Sequence, residues 1–366
     1  MSTPRFVASM PRWSPCLVFV FLTLAGCKSQ DSGEATHDRH ADIFDSPVID
    51  TFLTAAPQTV IDLDEVPVIT LLPDLELGGP QDSMILAREF SFLIAEDSIF
   101  FANYGGGIYA SGLDGVLQRQ IGRLGKGPGE FDILQDFTFN GTYFFTSESS
   151  RIQVLSRKFE YAESLPRHAA FPSSFVATGK YLYTGCGRKE EYRICPRSSQ
   201  PPFEELSPFL PSLNITSPPM DGVSFGATSN GRHLMAAFWG LPYVLVFNEE
   251  HEHIHTLRLV GEPVDAHADN YTMGRPGIPG VGLRHFIRYT HVINDSYLAI
   301  PLRDVWHFIK IEPVNSFKHV GAARMMTSAK ADAKAIVGKS RALLDERSLY
   351  VSSTRVPYLV RYPFPF

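Results

Sequence analysis

The G-x-x-x-x-G-K-S/T pattern of a phosphate-binding loop is missing from this sequence. The letters HExxH of zinc peptidases do occur at 251–255 (HEHIH), and the letters GxSxG of serine hydrolases occur at 222–226 (GVSFG), so neither class is excluded by the absence of its motif. Excess positive charge is missing too: the formal net charge is −6, which speaks against nucleic acid or anionic lipid headgroups as the main partner. The 27 prolines argue against long helices.

Aromatic residues, in contrast, are abundant. They make up 12% of the chain, with 27 phenylalanines and 14 tyrosines, while only 20% of the residues are charged. This composition is typical of a globular protein rich in strands. At 366 residues the chain can bury a large core, either as two ordinary domains or as one large all-β unit.

The N-terminus has the features of an export signal. Arg5 and Arg12 give it positive charge, and the apolar run CLVFVFLTL (Cys16–Leu24) is too short to span a bilayer. The run ends in LAGC, at positions 24–27, which resembles the lipobox of bacterial lipoproteins. The alternative is an ordinary signal peptide whose cysteine is incidental.

The resemblance to lipoproteins implies how the chain is processed and where it goes. Residues 1–26 would be removed as a signal peptide, and Cys27 would receive acyl chains such as palmitate on its thiol and its new amino group. Such chains hold a protein on a membrane without a spanning helix, so we expect an extracytoplasmic, membrane-anchored protein. Lys28 stands where enteric bacteria use aspartate for inner-membrane retention, so an outer membrane is the expected location if the cell has one. Residues 27–60 are expected to form a flexible tether, because the stretch after the cysteine is polar, acidic and without period.

Two cysteines are left for the folded part of an exported chain. Cys186 and Cys195 flank a segment whose turn we place at 189–192, which would put the two cysteines directly opposite each other. A disulfide is therefore expected in an oxidising compartment. A free thiol pair and a pair of metal ligands are the alternatives, although no nearby histidine supplies a third ligand.

A phrase of a turn, an apolar-aromatic strand, a few polar residues and a second strand recurs along the chain. The second residues of six such phrases fall at 98, 142, 180, 232, 296 and 347, so the intervals are 44, 38, 52, 64 and 51 residues. Periods near 40–50 residues with several strands each are typical of β-propellers. We therefore expect residues 61–366 to form an all-β, six-bladed β-propeller. The six phrases are DSIFFAN (97–103), GTYFFTS (141–147), GKYLYTG (179–185), GRHLMAAF (231–238), DSYLAIP (295–301) and ERSLYVSS (346–353).

A glycine-rich stretch, IGRLGKGPGEFDILQD at 121–136, is interpreted as the crossover between two blades. VLQRQIG (116–122) is expected to be an outer strand and DILQDFTFN (132–140) the next inner strand, with Phe131 filling the space between the blades. Gly125, Gly127 and Gly129 would permit positive φ and close approach there. Over about 121–161 this pattern resembles the NHL repeat, which implies a fold much more than a function.

The ends of the domain are expected to close the ring. The last phrase has no outer strand after it, and VPVITLLPDLEL (66–77) is a strand without a partner before the first phrase. Pairing the two would leave no free edge there, as propellers commonly do.

Three histidines alternate in HEHIH, at 251, 253 and 255, so they could converge on a metal from one strand face. Their position after the strand YVLVFNEE indicates an outer strand facing solvent. We therefore interpret them as exposed histidines far from the central channel, and we predict no metal site.

Two long insertions are the candidate ligand-binding segments. Both 198–222 and 261–285 fall where an outer strand should cross to the next blade, so they could wall one mouth of the channel. The alternative is that both insertions are surface loops that bind no ligand. The candidate ligand-binding residues are Asp265, His267, Asp269, Arg275, Arg284 and His285.

These observations predict a binding module for a protein, a peptide or a glycan, or an envelope scaffold, on a lipid anchor and without a cofactor. The alternative is a propeller enzyme with its site in the central channel. Related six-bladed folds include metal-dependent lactonases and lyases, so that alternative alone implies a divalent metal. The inner-strand candidates are Asp136, Arg288 and His291. No catalytic set can be assigned from them, because a slip of one residue would reverse the face to which the side chains of a short strand point.

Overall fold

The computed structural model describes residues 53–77, 90–103, 107–167, 175–186, 193–210, 223–239, 241–266, 286–287, 289–313, 315–326, 340–353 and 356–366. All of them belong to the second of two compact units, Arg39–Phe366. The predicted signal peptide, Cys27 and most of the predicted tether lie outside the described residues. Within the described part, residues 262–266 are helical, and no helix is long and apolar enough to cross a membrane.

The first three blades follow one another along the chain, each built from consecutive antiparallel strands. Blade 3 has three regular strands, whereas blades 1 and 2 have four. The strands of blade 1 are β4 (Phe90–Ala95), β5 (Ser98–Asn103), β6 (Gly107–Gly112) and β7 (Leu117–Ile121); those of blade 2 are β8 (Asp136–Phe139), β9 (Tyr143–Ser147), β10 (Arg151–Ser156) and β11 (Tyr161–Pro166); those of blade 3 are β12 (Phe175–Ala177), β13 (Tyr181–Cys186) and β14 (Arg193–Ser198).

The last three blades each gain a strand from the N-terminal segment. The three strands of that segment are β1 (Gln58–Asp62), β2 (Val68–Leu71) and β3 (Leu75–Leu77). Blade 4 consists of β15 (Val223–Ala227), β16 (Leu234–Phe238), β17 (Tyr243–Phe247), β18 (His253–Val260) and β1; blade 5 of β19 (His291–Asn294), β20 (Tyr297–Leu302), β21 (Val305–Glu312), β22 (Ser316–Met325) and β2; blade 6 of β23 (Ser340–Asp345), β24 (Ser348–Ser353), β25 (Val356–Pro363) and β3.

The six sheets form a closed ring, which confirms the predicted six-bladed β-propeller. The inner strands β4, β8, β12, β15, β19 and β23 each contact the next one, and β23 contacts β4. The recurring phrases are the second strands of the blades. These strands are largely buried because they lie in the middle of a sheet between two neighbouring blades, and β16 (LMAAF) is buried at every position.

The glycine-rich stretch is the crossover from blade 1 to blade 2. Gly122 has φ 67°, and a Cβ there would lie 2.3 Å from the Phe131 ring and 2.7 Å from the Gly129 carbonyl oxygen, so only glycine fits. Phe131 is 1% exposed and packs between the two blades, as predicted. The inner strand, however, begins at Asp136 and not at Asp132, since the Asp132 amide donates to Glu148 Oε2 at 3.1 Å instead of to a neighbouring strand.

The N-terminal segment runs across three blades. β1 pairs in parallel with β18 and β2 in parallel with β22, whereas β3 pairs antiparallel with β25. The predicted closure of blade 6 is therefore confirmed for Leu75–Leu77, but Val68–Leu71 lies on blade 5. Regular structure starts at Gln58, within the stretch predicted as a tether, and Leu53 is already buried against the core of blades 3 and 4.

Blade 3 differs from the sequence-based expectation in two ways. A disulfide joins Cys186 to Cys195 across 5.8 Å between the Cα atoms, but Cys186 pairs with Arg193 and Cys195 with Thr184. The register is thus shifted by two residues, which keeps both side chains on one face because the period of a strand is two. The fourth strand is replaced by the start of the insertion, where Phe209 and Ile194 exchange backbone hydrogen bonds of 3.0 and 3.1 Å.

Candidate binding channel

A cavity of about 1120 Å³ lies along the axis of the ring, between the inner strands. All six inner strands begin at one end of this cavity, because each receives the chain from the outer strand of the preceding blade. We call this the crossover end; it is marked by Ser91, Asp136, Phe175, Ser224 and Thr290. The opposite end, where inner and second strands join in tight turns, is the hairpin end.

Blades 1 and 2 provide a polar wall at the crossover end. Asp136 opens β8, and its Oδ1 accepts hydrogen bonds from Ser91 Oγ at 2.5 Å and from the Phe137 amide at 2.8 Å. Arg167 follows β11, which ends at the same end of the ring, and its Nη1 donates to the Glu148 carbonyl oxygen. Burial lowers the pKa of Arg167, and the negative charge of Asp136 opposes this effect. The wall therefore presents one carboxylate and one guanidinium side by side.

Blades 4 and 5 provide an aromatic wall, and in a six-membered ring they lie opposite blades 1 and 2. Trp239 directly follows β16, which ends where β15 begins. Tyr289 precedes β19 and stacks on His291 with centroids 6.1 Å apart and planes 18° apart. His291 in turn stacks on the fully buried Trp306 at 5.6 Å, so Trp306 supports the wall from behind.

The inner strands are tied to one another by side-chain hydrogen bonds. Thr290 and Ser224 link blades 5 and 4, with 3.1 Å between their hydroxyl oxygens and a 2.8 Å bond from the Thr290 amide. Thr138 Oγ1 accepts the Ala177 amide at 3.1 Å and so links blades 2 and 3. Because these links fix the lining before any ligand arrives, the channel is preorganised.

The hairpin end is acidic. The Asp295 carboxylate accepts the Ser229 amide at 2.5 Å and the Ser229 hydroxyl at 2.9 Å, which links blades 4 and 5. Burial raises the pKa of Asp345, and the neighbouring charges of Glu346 and Asp97 raise it further. Anionic ligands are therefore disfavoured at this end.

The structure places the predicted site residues as follows. Asp136 and His291 line the channel, as expected for inner-strand candidates. Asp265 is exposed and lies in the helical segment 262–266, away from the channel lining. His267, Asp269, Arg275, Arg284, His285 and Arg288 lie outside the described residues. None of the described residues of the two insertions lines the channel.

The prediction of solvent-facing histidines in HEHIH is wrong for His255, which is 8% exposed. The reason is β1, which adds a strand outside β18 and brings Thr59 Oγ1 to 2.7 Å from His255 Nε2. His251 instead stacks on Phe209 at 4.5 Å, and His253 Nε2 lies 2.9 Å from Thr256 Oγ1. The three rings thus have separate partners, and burial lowers the pKa of each. Among the described residues, no group of three or more His, Cys, Asp or Glu side chains could hold a metal ion.

Sequence reasoning missed Arg167, Trp239 and Tyr289. Each lies just outside a strand, where the period of two gives no information about the direction of a side chain. Their position within the repeat could have indicated them. Residues that directly follow the second or fourth strand of a blade, or precede its inner strand, lie at the crossover end of the ring.

The fold defines the chain as a six-bladed β-propeller protein. The chain is similar to the solved WD40 repeats of RRP9, with 11% identity, a TM-score of 0.47 and coverage of 82% of this chain and 100% of that chain. It is similar to a candidate exported protein of Bacteroides fragilis, with 10% identity, a TM-score of 0.49 and coverage of 83% and 98%. The WD40 domain of Neurospora crassa Pan2 is 11% identical, with a TM-score of 0.44 and coverage of 75% and 74%. No family model matches the sequence, and neither does any curated protein.

Proposed function

We propose that this protein is a bacterial lipoprotein whose NHL-like propeller holds a ligand at the crossover end of its central channel. The ligand is a protein segment, a peptide or a glycan of the cell envelope. The observation that carries this proposal is the channel itself, a preformed cavity of about 1120 Å³ with a polar wall facing an aromatic one. Ligand sites in proteins are typically concave, with aromatic side chains and a few placed polar groups.

Contacts within blade 2 support the NHL-like type. The Arg151 guanidinium donates hydrogen bonds to three carbonyl oxygens of the glycine-rich crossover, those of Lys126 at 2.8 Å, Gly127 at 3.1 Å and Glu130 at 3.0 Å. Gln153 accepts the Gly129 amide at 3.0 Å and donates to the Glu130 carbonyl oxygen at 2.6 Å. The Arg-Ile-Gln run of the motif therefore fixes the glycine-rich loop that precedes it.

The LAGC motif at 24–27 supports the anchor. Between Cys27 and Leu53, which is buried against the propeller, lie 25 residues, which reach at most ~90 Å when fully extended. That length is sufficient for the propeller to meet ligands well away from the membrane surface to which Cys27 would be attached.

Site-specific photocrosslinking in cells tests the proposal. A benzophenone amino acid replaces Tyr289 in the channel of the full-length chain, and in a matched variant it replaces Tyr161, which is 41% exposed on the outer strand β11. We expect a discrete adduct from position 289 that is absent from position 161. Equal adducts at the two positions, or none at 289, would contradict binding in the channel.

The same cells test the anchor. Labelling with an alkyne-tagged palmitate measures acylation, and Cys27→Ser removes the acceptor thiol, so we expect this variant to lose the label that the wild-type chain carries. A Cys16→Ser variant is the control, since Cys16 lies within the predicted signal peptide and should leave the label unchanged. An unlabelled wild-type chain, or a Cys27→Ser chain that keeps the label, would contradict the lipid anchor and leave the channel result unaffected.

A further inference from the structure

The two walls of the crossover end differ in chemistry, and this difference restricts the ligand. Trp239 and Tyr289 offer flat apolar rings on one side of the channel. Asp136 and Arg167 offer an acceptor and a set of donors on the other side. A ligand that fills the space between them needs an apolar face and a hydrogen-bonding edge on the same rigid ring.

The polar wall suits hydroxyl groups. Each hydroxyl both donates and accepts, so vicinal hydroxyls can donate to the Asp136 carboxylate and accept from the Arg167 guanidinium. Ser91 and the Phe137 amide hold that carboxylate in place at 2.5 and 2.8 Å, and the Glu148 carbonyl oxygen holds the guanidinium. These neighbours fix both charged groups in position before the ligand binds.

The charge of the lining disfavours strongly ionic ligands. Among the described residues that line the crossover end, Asp136 and Arg167 are the charged side chains, and their charges cancel. The other polar groups around them are neutral, such as Ser147 and Ser352. A neutral, hydroxyl-rich ligand loses less on transfer into this lining than an ion does.

We propose that the channel ligand is a saccharide. One face of a pyranose ring, which carries only C–H groups, stacks on Tyr289 and Trp239, while the hydroxyls at its edge bind Asp136 and Arg167. This inference rests on the proposed function, and it names the ligand class of the same site. It adds that the crossover end is a sugar-binding site for neutral glycans.

The test uses the purified chain and a panel of neutral trisaccharides: cellotriose, maltotriose, mannotriose and N-acetylchitotriose. Calorimetry measures affinity, and ligand-observed saturation-transfer NMR shows which protons of the sugar contact the protein. We expect at least one trisaccharide to bind, with saturation concentrated on the C–H groups of one ring face. Tyr289→Ala and Trp239→Ala should each weaken binding by about tenfold, and Asp136→Asn by about tenfold or more.

Conservative and distant variants separate recognition from folding. Tyr289→Phe keeps the stacking ring and should retain most of the affinity, whereas Tyr161→Ala removes an exposed aromatic outside the channel and should change nothing. If no trisaccharide binds, or if binding survives both Tyr289→Ala and Trp239→Ala, the saccharide inference is overturned. A specific adduct at position 289 alongside that result would show that the channel binds another class of ligand, so the proposed function would stand. If no trisaccharide binds and position 289 gives no specific adduct, both the saccharide inference and the proposed function are overturned.

Discussion

Ile61→Ala should lower the free energy of unfolding by about 2–4 kcal/mol, whereas Val60→Ala, one residue earlier, should change it by less than about 0.5 kcal/mol. Ile61 is 2% exposed and packs in the core between blades 4 and 5, while Val60 is 59% exposed. Both residues lie on β1, so the pair measures the pairing of that strand with blade 4. Chemical denaturation of the two variants provides the comparison, and equal, small effects would show that β1 does not pack there.

Removal of the whole segment should have a larger effect. A chain that starts at Gly78 lacks β1, β2 and β3, and with them five buried leucine and isoleucine side chains. At about 2 kcal/mol or more each, their loss is comparable with the entire stability of a typical domain, so we expect no cooperative unfolding transition. A chain that starts at residue 48 is the matched control and should unfold like the intact protein. A cooperative transition in the shorter chain would contradict closure by the N-terminal segment. The five side chains are Leu53, Ile61, Leu63, Leu71 and Leu77.

Acidification should destabilise the protein through His307. This side chain is 2% exposed, and burial, together with the neighbouring His319, lowers its pKa to about 4. Because the unfolded pKa is about 6.5, the stability that neutral His307 provides is complete above pH 6.5 and is lost as the pH falls toward 4. Between pH 7.5 and 4.5 the loss from this residue should be about 2–3 kcal/mol.

Burial keeps His307 neutral, and the hydrogen bonds around it indicate which ring nitrogen carries the proton. The Asp62 carbonyl oxygen can only accept, so His319 Nδ1 carries a proton and donates to it at 2.8 Å. In neutral His319, Nε2 then accepts from His307 Nδ1 at 3.4 Å. Denaturation across this pH range should show a shallower dependence for His307→Gln than for the wild type. If the free energy of unfolding falls equally with pH in both proteins, His307 is not the cause of the acid destabilisation.

The fold could be predicted from sequence because a blade repeats a local pattern. Strands such as β9 (YFFTS) and β16 (LMAAF) must be apolar to pack between neighbouring blades, so the pattern recurs wherever a blade occurs. The parallel pairing of β2 with blade 5 has no such local cause. The apolar and β-branched residues of Val68–Leu71 predict a strand, but the partner depends on the path of the chain across three blades.

The candidate site was less accessible to sequence reasoning. Asp136 was among the inner-strand candidates because it lies in the strand predicted at 132–140, although that strand begins four residues later than predicted. Arg167, Trp239 and Tyr289 converge from three different blades, and no spacing along the chain encodes a meeting across a ring. The disulfide register shows the same limit, since the turn between Cys186 and Cys195 could be shifted by two residues without changing which faces are apolar.

The most direct test of binding in the channel uses tryptophan as the probe. Of the three tryptophans in the sequence, Trp13 lies in the predicted signal peptide, so a chain starting at Lys28 contains only Trp239 and Trp306. With fluorotryptophan incorporated, each gives one ¹⁹F resonance, and Trp239→Phe assigns them. On addition of a fractionated envelope extract, binding at the crossover end predicts a shift of the Trp239 resonance that exceeds any shift of the fully buried Trp306. An unchanged Trp239 resonance in every fraction would contradict the channel as the binding site.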